Sequence, residues 1–149
     1  MIANKGRVRT AIKVMEEVRS KNLELDMNMF RSRGKATSLD NADCGTVCCF
    51  AGWLALSKEF QEAGGRVSEL GPIGSPGFGG RHGPGAICKY LNITVNDSFA
   101  LLGYESSEWH GARYFYEKDR RENITFDDVI SKLNHLLEFG NFNNLHPSK

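Results

Sequence analysis

Charge of one sign is scarce in this chain of 149 residues. Lys and Arg number 19 against 18 Asp and Glu, a formal net charge of +1. That balance argues against a protein that holds nucleic acid by bulk electrostatics. Long apolar runs are missing too: no stretch approaches the roughly 18–20 apolar residues of a membrane span. The opening Met1-Ile2-Ala3-Asn4-Lys5-Gly6-Arg7 lacks the apolar run of a signal peptide. The expectation is a cytoplasmic protein with no membrane segment. Cysteines are few and crowded: of Cys44, Cys48, Cys49 and Cys88, three lie within six residues. A secreted disulfide scaffold spreads its cysteines, so these read as free thiols and the sequons at Asn92 and Asn123 as chance matches. No Gly-Lys-Ser/Thr phosphate loop and no Cys-x-x-Cys knuckle occurs, and no cofactor or metal is expected.

What is present is ordinary globular composition, 40% hydrophobic and 25% charged, in a length that suits one domain. Val8, Ala11, Ile12, Met15 and Val18 repeat with a helical period and predict an amphipathic helix over 7–20. Leu23, Leu25, Met27 and Met29 alternate with polar residues, the period of a short strand. From Val47 to Leu56 there is no charge, which predicts a central helix over 47–60, buried all round. Residues 64–85 hold nine of the 16 glycines and three of the four prolines. That density predicts a mobile or functional loop with no regular element. Helical patterning resumes at 86–91. Thr94 caps a short helix ending at Gly103, a further helix covers 109–116, and Thr125 opens the last one, stopped by Gly140. Residues 141–149 are polar and predict a frayed tail. The fold expected is mainly α: a single compact helical domain over 1–149, built around the buried central helix, with room for one short strand pair.

The segment Asp43-Cys44-Gly45-Thr46-Val47-Cys48-Cys49-Phe50-Ala51-Gly52-Trp53 carries the most chemistry. A Gly-Thr turn feeds a helix, and two cysteines fall in its first turn, where the partial positive charge of the helix end lowers a thiol pKa. Four readings of these thiols stand side by side. They pack as small hydrophobes. Or Cys49 or Cys44 is a nucleophile, with His82 or His110 as its base. Or Cys44, Cys48 or Cys49, His82 and Cys88 hold zinc. Or Cys44 and Cys49 form a redox pair.

The run Cys44-Gly45-Thr46-x-x-Cys49-x-Ala51-Gly52-Trp53 resembles the core of a set of small uncharacterised proteins from bacteriophages and bacterial genomes. Asp26-Met27-Asn28-Met29-Phe30 before it and Leu101-Leu102-Gly103 after it match further elements of that set. The resemblance implies that Cys44 and Cys49 are the paired thiols and that Cys48 replaces a small residue. It implies no mechanism. Cys44-Gly45-Thr46-Val47-Cys48 also looks similar to the Cys-Gly-x-Cys run opening the central helix of papain-like proteases, with one residue more.

Two further groups are candidates for binding. Phe78, Arg81 and His82 are the large side chains of the glycine-rich stretch, where Arg81 could meet an anion or a partner. Trp109-His110-Gly111-Ala112-Arg113-Tyr114-Phe115-Tyr116 is rich in the aromatics and arginine that concentrate at protein interfaces. Glu117, Asp119 and Glu122 interrupt the nearby basic residues and lower the nucleic-acid case. The function expected is a small intracellular accessory protein, phage-encoded on the resemblance. It would bind a protein partner, for example to inhibit or redirect a host factor; a small molecule is a second partner class. The alternative is a cysteine-dependent hydrolase or transferase.

Overall fold

In the computed structural model, the residues described are 1–28, 36–42, 46–67 and 75–146. Helix α1 (Lys5–Ser20) starts where the Asn4 side chain accepts the Arg7 N–H. Its apolar stripe is buried at Val8, Ala11, Val14, Met15 and Val18. Helix α7 (Phe126–Phe139) carries a reciprocal capping box between Thr125 and Asp128 and ends on Gly140 at φ 80°, a conformation glycine adopts without steric cost. The two helices pack together, with Val129, Leu133 and Leu136 of α7 facing the core.

Under them lies helix α2 (Phe50–Leu56), every residue of which is buried. The sequence predicts one helix over 47–60; the structure breaks it twice. Val47–Cys48 is strand β2, paired in parallel with β1 (Glu24–Leu25). The Trp53 indole N–H fastens this pair to α2 by donating to the Glu24 carbonyl at 2.9 Å. At the other end Ser57 is extended (ψ 144°) and serves both flanks. Its hydroxyl donates to the Leu54 carbonyl at 2.7 Å and accepts the Phe60 N–H at 3.3 Å. It thus closes α2 and opens α3 (Lys58–Glu62). A serine that can satisfy orphan groups on both sides permits this sharp turn.

The glycine-rich stretch also departs from expectation. Its described part forms an antiparallel sheet of β3 (Arg66–Val67), β4 (Pro76–Phe78) and β5 (Arg81–His82). Gly79 and Gly80 turn the hairpin at φ 59° and 78°, the backbone that a two-residue hairpin turn demands. Residues 68–74 lie outside the described part. The hairpin presses Phe78 onto Phe60 and Tyr90, at ring distances of 5.8 and 5.3 Å. The Arg7 guanidinium covers Phe78 and Tyr90 at 5.0 Å each.

Helices α4 (Pro84–Leu91), α5 (Val95–Leu101) and α6 (Gly111–Phe115) complete the mainly α fold. Of the tail expected to fray over 141–149, residues 141–146 pack onto the fold and 147–149 lie outside the described residues. Phe142 is fully buried, and a 3-10 turn follows at Asn143–Leu145. One contiguous apolar cluster joins these elements. No helix among the described residues is long and apolar enough to cross a membrane.

Gly65 tests how tightly this core is closed. A Cβ there would stand 2.2 Å from the buried Phe60 ring and 2.7 Å from the Phe60 carbonyl oxygen. Gly65→Ala is expected to destabilise the fold by about 1–3 kcal/mol, as core overpacking does. A urea midpoint equal to that of the parent protein would show that this contact yields freely.

Candidate functional site

The C-terminal end of α5 and the start of α6 frame a surface cleft. Gly103 leaves α5 at φ 80°. Residues 105–110 then form a tight loop, closed by an antiparallel bridge between Glu105 and His110 and by the Ser106 N–H donating to the Trp109 carbonyl at 2.8 Å. The loop sends Trp109 inward and His110 outward. Gly111, at φ 60°, lies against the Gly103 carbonyl and the Glu105 amide, where a Cβ would come within 3.2–3.3 Å of both. This close approach brings α6 onto the end of α5.

Outside that junction is a cleft of about 380 Å³ lined by Tyr104, Glu105, His110, Arg113, Asp119 and Arg121, among others. The Arg121 guanidinium covers the Tyr104 ring at 4.7 Å, and its Nη1 is buried without a hydrogen-bond partner. Arg113 is exposed, and Tyr114 keeps 42% of its surface in solvent. The His110 and Tyr114 rings lie 5.8 Å apart. The rim therefore offers aromatic and cationic side chains, with Glu105 and Asp119 as counter-charges.

Behind the cleft Trp109 is 1% exposed. It is a core residue rather than a contact surface. Its ring meets Phe115 edge-on at 4.9 Å and stacks on His146 at 4.4 Å. Its indole N–H donates to Asp97 Oδ1 at 3.2 Å. Glu108, next in sequence, places Oε2 3.5 Å from His146 Nε2.

The two binding groups expected from the sequence are separate. Phe78 and Arg81 sit on the β4–β5 hairpin beside α4, with Phe78 buried and Arg81 exposed. Arg113 and Tyr114 sit on α6. No hydrogen bond, ion pair or ring contact joins the two groups among the described residues.

The cysteines are distributed as follows. Cys44 lies outside the described residues. Cys48 is buried in β2. Cys49 is the N-cap of α2 rather than a residue of its first turn, and the Gly52 N–H donates to its Sγ at 3.5 Å. It is 4% exposed, and burial pushes its thiol from 9.0 up to about 11 despite the backbone donors that favour the thiolate. Desolvation thus overrides the helix end. No histidine hydrogen-bonds to Cys49 among the described residues. Cys88, on α4, donates to the Ile93 carbonyl at 3.0 Å. Burial raises its pKa, against the opposing charges of Arg81 and Lys89. His82 is half-buried on β5, and His110 stands at the cleft.

The zinc set drawn from the cysteines does not converge among the described residues. The group there whose donor atoms do converge is Asp97, Glu108 and His146, all within 4.8 Å of one another. Sequence reasoning gave none of the three a site role. Asp97 reads as part of a helix cap and His146 as tail, and no spacing rule links them to Glu108.

The thiol of Cys49 makes a measurable contribution to alkaline stability. An unfolded thiol ionises near 9.0 and the folded one near 11. Between those values the unfolded chain loses a proton that the folded chain keeps, so stability falls as pH rises through this window. The difference corresponds to roughly 3 kcal/mol. Cys49→Ala is expected to show a shallower decline in stability between pH 9 and 11 than the parent, measured by denaturant titration. Parallel curves would mean that the thiol ionises in the fold as it does in water.

Comparison of the chain with family models, with curated proteins and with solved structures finds no match, so its own geometry carries the functional reading.

Proposed function

We propose that the protein is a small accessory protein that acts by binding a protein partner through the α6 side of the cleft. The observation that carries this reading is the exposed pair Arg113 and Tyr114, with His110 beside them, held on a short helix that Trp109 anchors from below. Tyr and Arg supply large contact area and directional donors, and they dominate the energetic centres of protein interfaces. The neighbouring Arg121 has a donor still to satisfy. Glu105 and Asp119 on the same cleft make a polyanion a poor fit and a mixed-charge protein surface a good one. The resemblance to small phage and bacterial proteins fits a role in inhibiting or redirecting a host factor in the host cytoplasm.

The alternative, a cysteine-dependent hydrolase or transferase, has one observation in its favour: Cys49 caps a helix. A thiol held near 11 is protonated at neutral pH and is a poor nucleophile. No base is in contact with it among the described residues to draw off its proton.

The two readings separate in one experiment. Immobilised protein is exposed to cytoplasmic extract of a bacterial host, beside the variants Arg113→Glu with Tyr114→Ala, and Cys49→Ala. A stoichiometric protein retained by the parent and by Cys49→Ala, and lost by the α6 variant, is the expected result, with a loss of affinity of tenfold or more. Retention by the α6 variant would overturn the assignment of the surface. Fast labelling of Cys49 in the native protein by a bulky thiol reagent at neutral pH would favour the enzyme.

A further inference from the structure

The triad behind the cleft has an electrostatic problem that the polypeptide does not solve. Asp97 is 2% exposed. Its carboxylate receives the Trp109 indole N–H at 3.2 Å and support from Thr94, both neutral donors. No lysine or arginine pairs with it among the described residues; the one positive group that acts on it is the His146 imidazole. Glu108 adds a second negative charge. Buried charges in folded proteins are paired or coordinate a metal, and among the described residues one imidazole stands against two carboxylates here.

We propose that Asp97, Glu108 and His146 bind one divalent transition-metal cation of the zinc type. Three arguments support the assignment. First, the donor set is a nitrogen and two carboxylates, borderline in softness, which suits zinc and its neighbours better than calcium or magnesium. Second, the spacing is near that of a coordination shell. Metal–ligand bonds of about 2.1 Å place tetrahedral donors about 3.4 Å apart, and His146 Nε2 already lies 3.5 Å from Glu108 Oε2. None of the remaining separations is above 4.8 Å, and Glu108, whose side chain is 52% exposed, is free to turn toward Asp97. Third, the outer groups that fix ligands are in place. The Trp109 N–H orients Asp97, and the Trp109 ring, stacked at 4.4 Å, fixes the plane of the His146 imidazole. Such outer contacts typically change metal affinity by about 10- to 100-fold.

The site also explains the docked tail. Gly140 turns the chain out of α7, Phe142 anchors it in the core, and the 3-10 turn at Asn143–Leu145 delivers His146 to Trp109. A bound cation would tie this segment to α5 and to the loop before α6. Three protein donors leave a fourth position facing solvent on the Glu108 side, open to water or to a donor from a partner.

The test is titration of the full-length, chelator-stripped protein with Zn2+ by calorimetry at pH 7.5, and with Co2+ by visible absorption. The variants are Glu108→Gln, whose side chain is half-exposed, and His146→Gln, which removes the imidazole; circular dichroism checks that both keep the fold. One equivalent of Zn2+ is expected for the parent, with affinity at least tenfold weaker in each variant. Cobalt should give ligand-field bands of a nitrogen–oxygen site without thiolate charge transfer. Equal Zn2+ affinity in parent and variants overturns the proposal, as does the absence of saturable binding. A thiolate-to-cobalt band also overturns it, by moving the metal to the cysteines.

Discussion

Helix α2 is uncharged along its whole length and buried on every side, and a seven-residue helix cannot be stable alone. Everything around it is arranged to cover it. Helix α1, helix α3 and strands β3 and β4 supply that cover, and Trp53 is tied by its indole to the Glu24 carbonyl of β1. The short strands follow from the same need. Two residues of parallel pairing between β1 and β2 have little stability of their own, but they satisfy backbone groups that burial would otherwise leave unpaired.

The same burial decides the chemistry of the cysteines. A helix end favours a thiolate by no more than about 2 kcal/mol even in partly buried settings. Desolvating an ion costs more unless a countercharge is present. At Cys49 the backbone donors are in place and the countercharge is not, so the thiol stays protonated. A motif that resembles a reactive-cysteine turn in one dimension thus becomes a packed N-cap in three.

Trp109 plays the organising part at the other end of the molecule. Its ring is a wall shared by Phe115 and His146, and its N–H is committed to Asp97. Trp109 thus touches both Phe115 of α6 and two members of the Asp97–Glu108–His146 group.

Much of the secondary structure was legible in the sequence because its signals are local. The apolar period of α1 and α7, the Thr94 and Thr125 caps and the stop at Gly140 each act over a few residues, and each stands where the pattern puts it. The uncharged run 47–56 correctly marks the most buried element. Tertiary contact decided the rest. Ser57 breaks the helix because its hydroxyl can serve two backbone partners at once, an outcome that period and propensity do not encode. Gly79-Gly80 becomes a hairpin turn because Phe78 has the Phe60–Tyr90 pocket to fill. Asp97, Glu108 and His146 meet only because Phe142 pins the tail against the core. Composition and periodicity report on neighbours along the chain. Convergence of charged side chains from three separate segments depends on how buried surfaces pack, and that is settled only when the whole core closes.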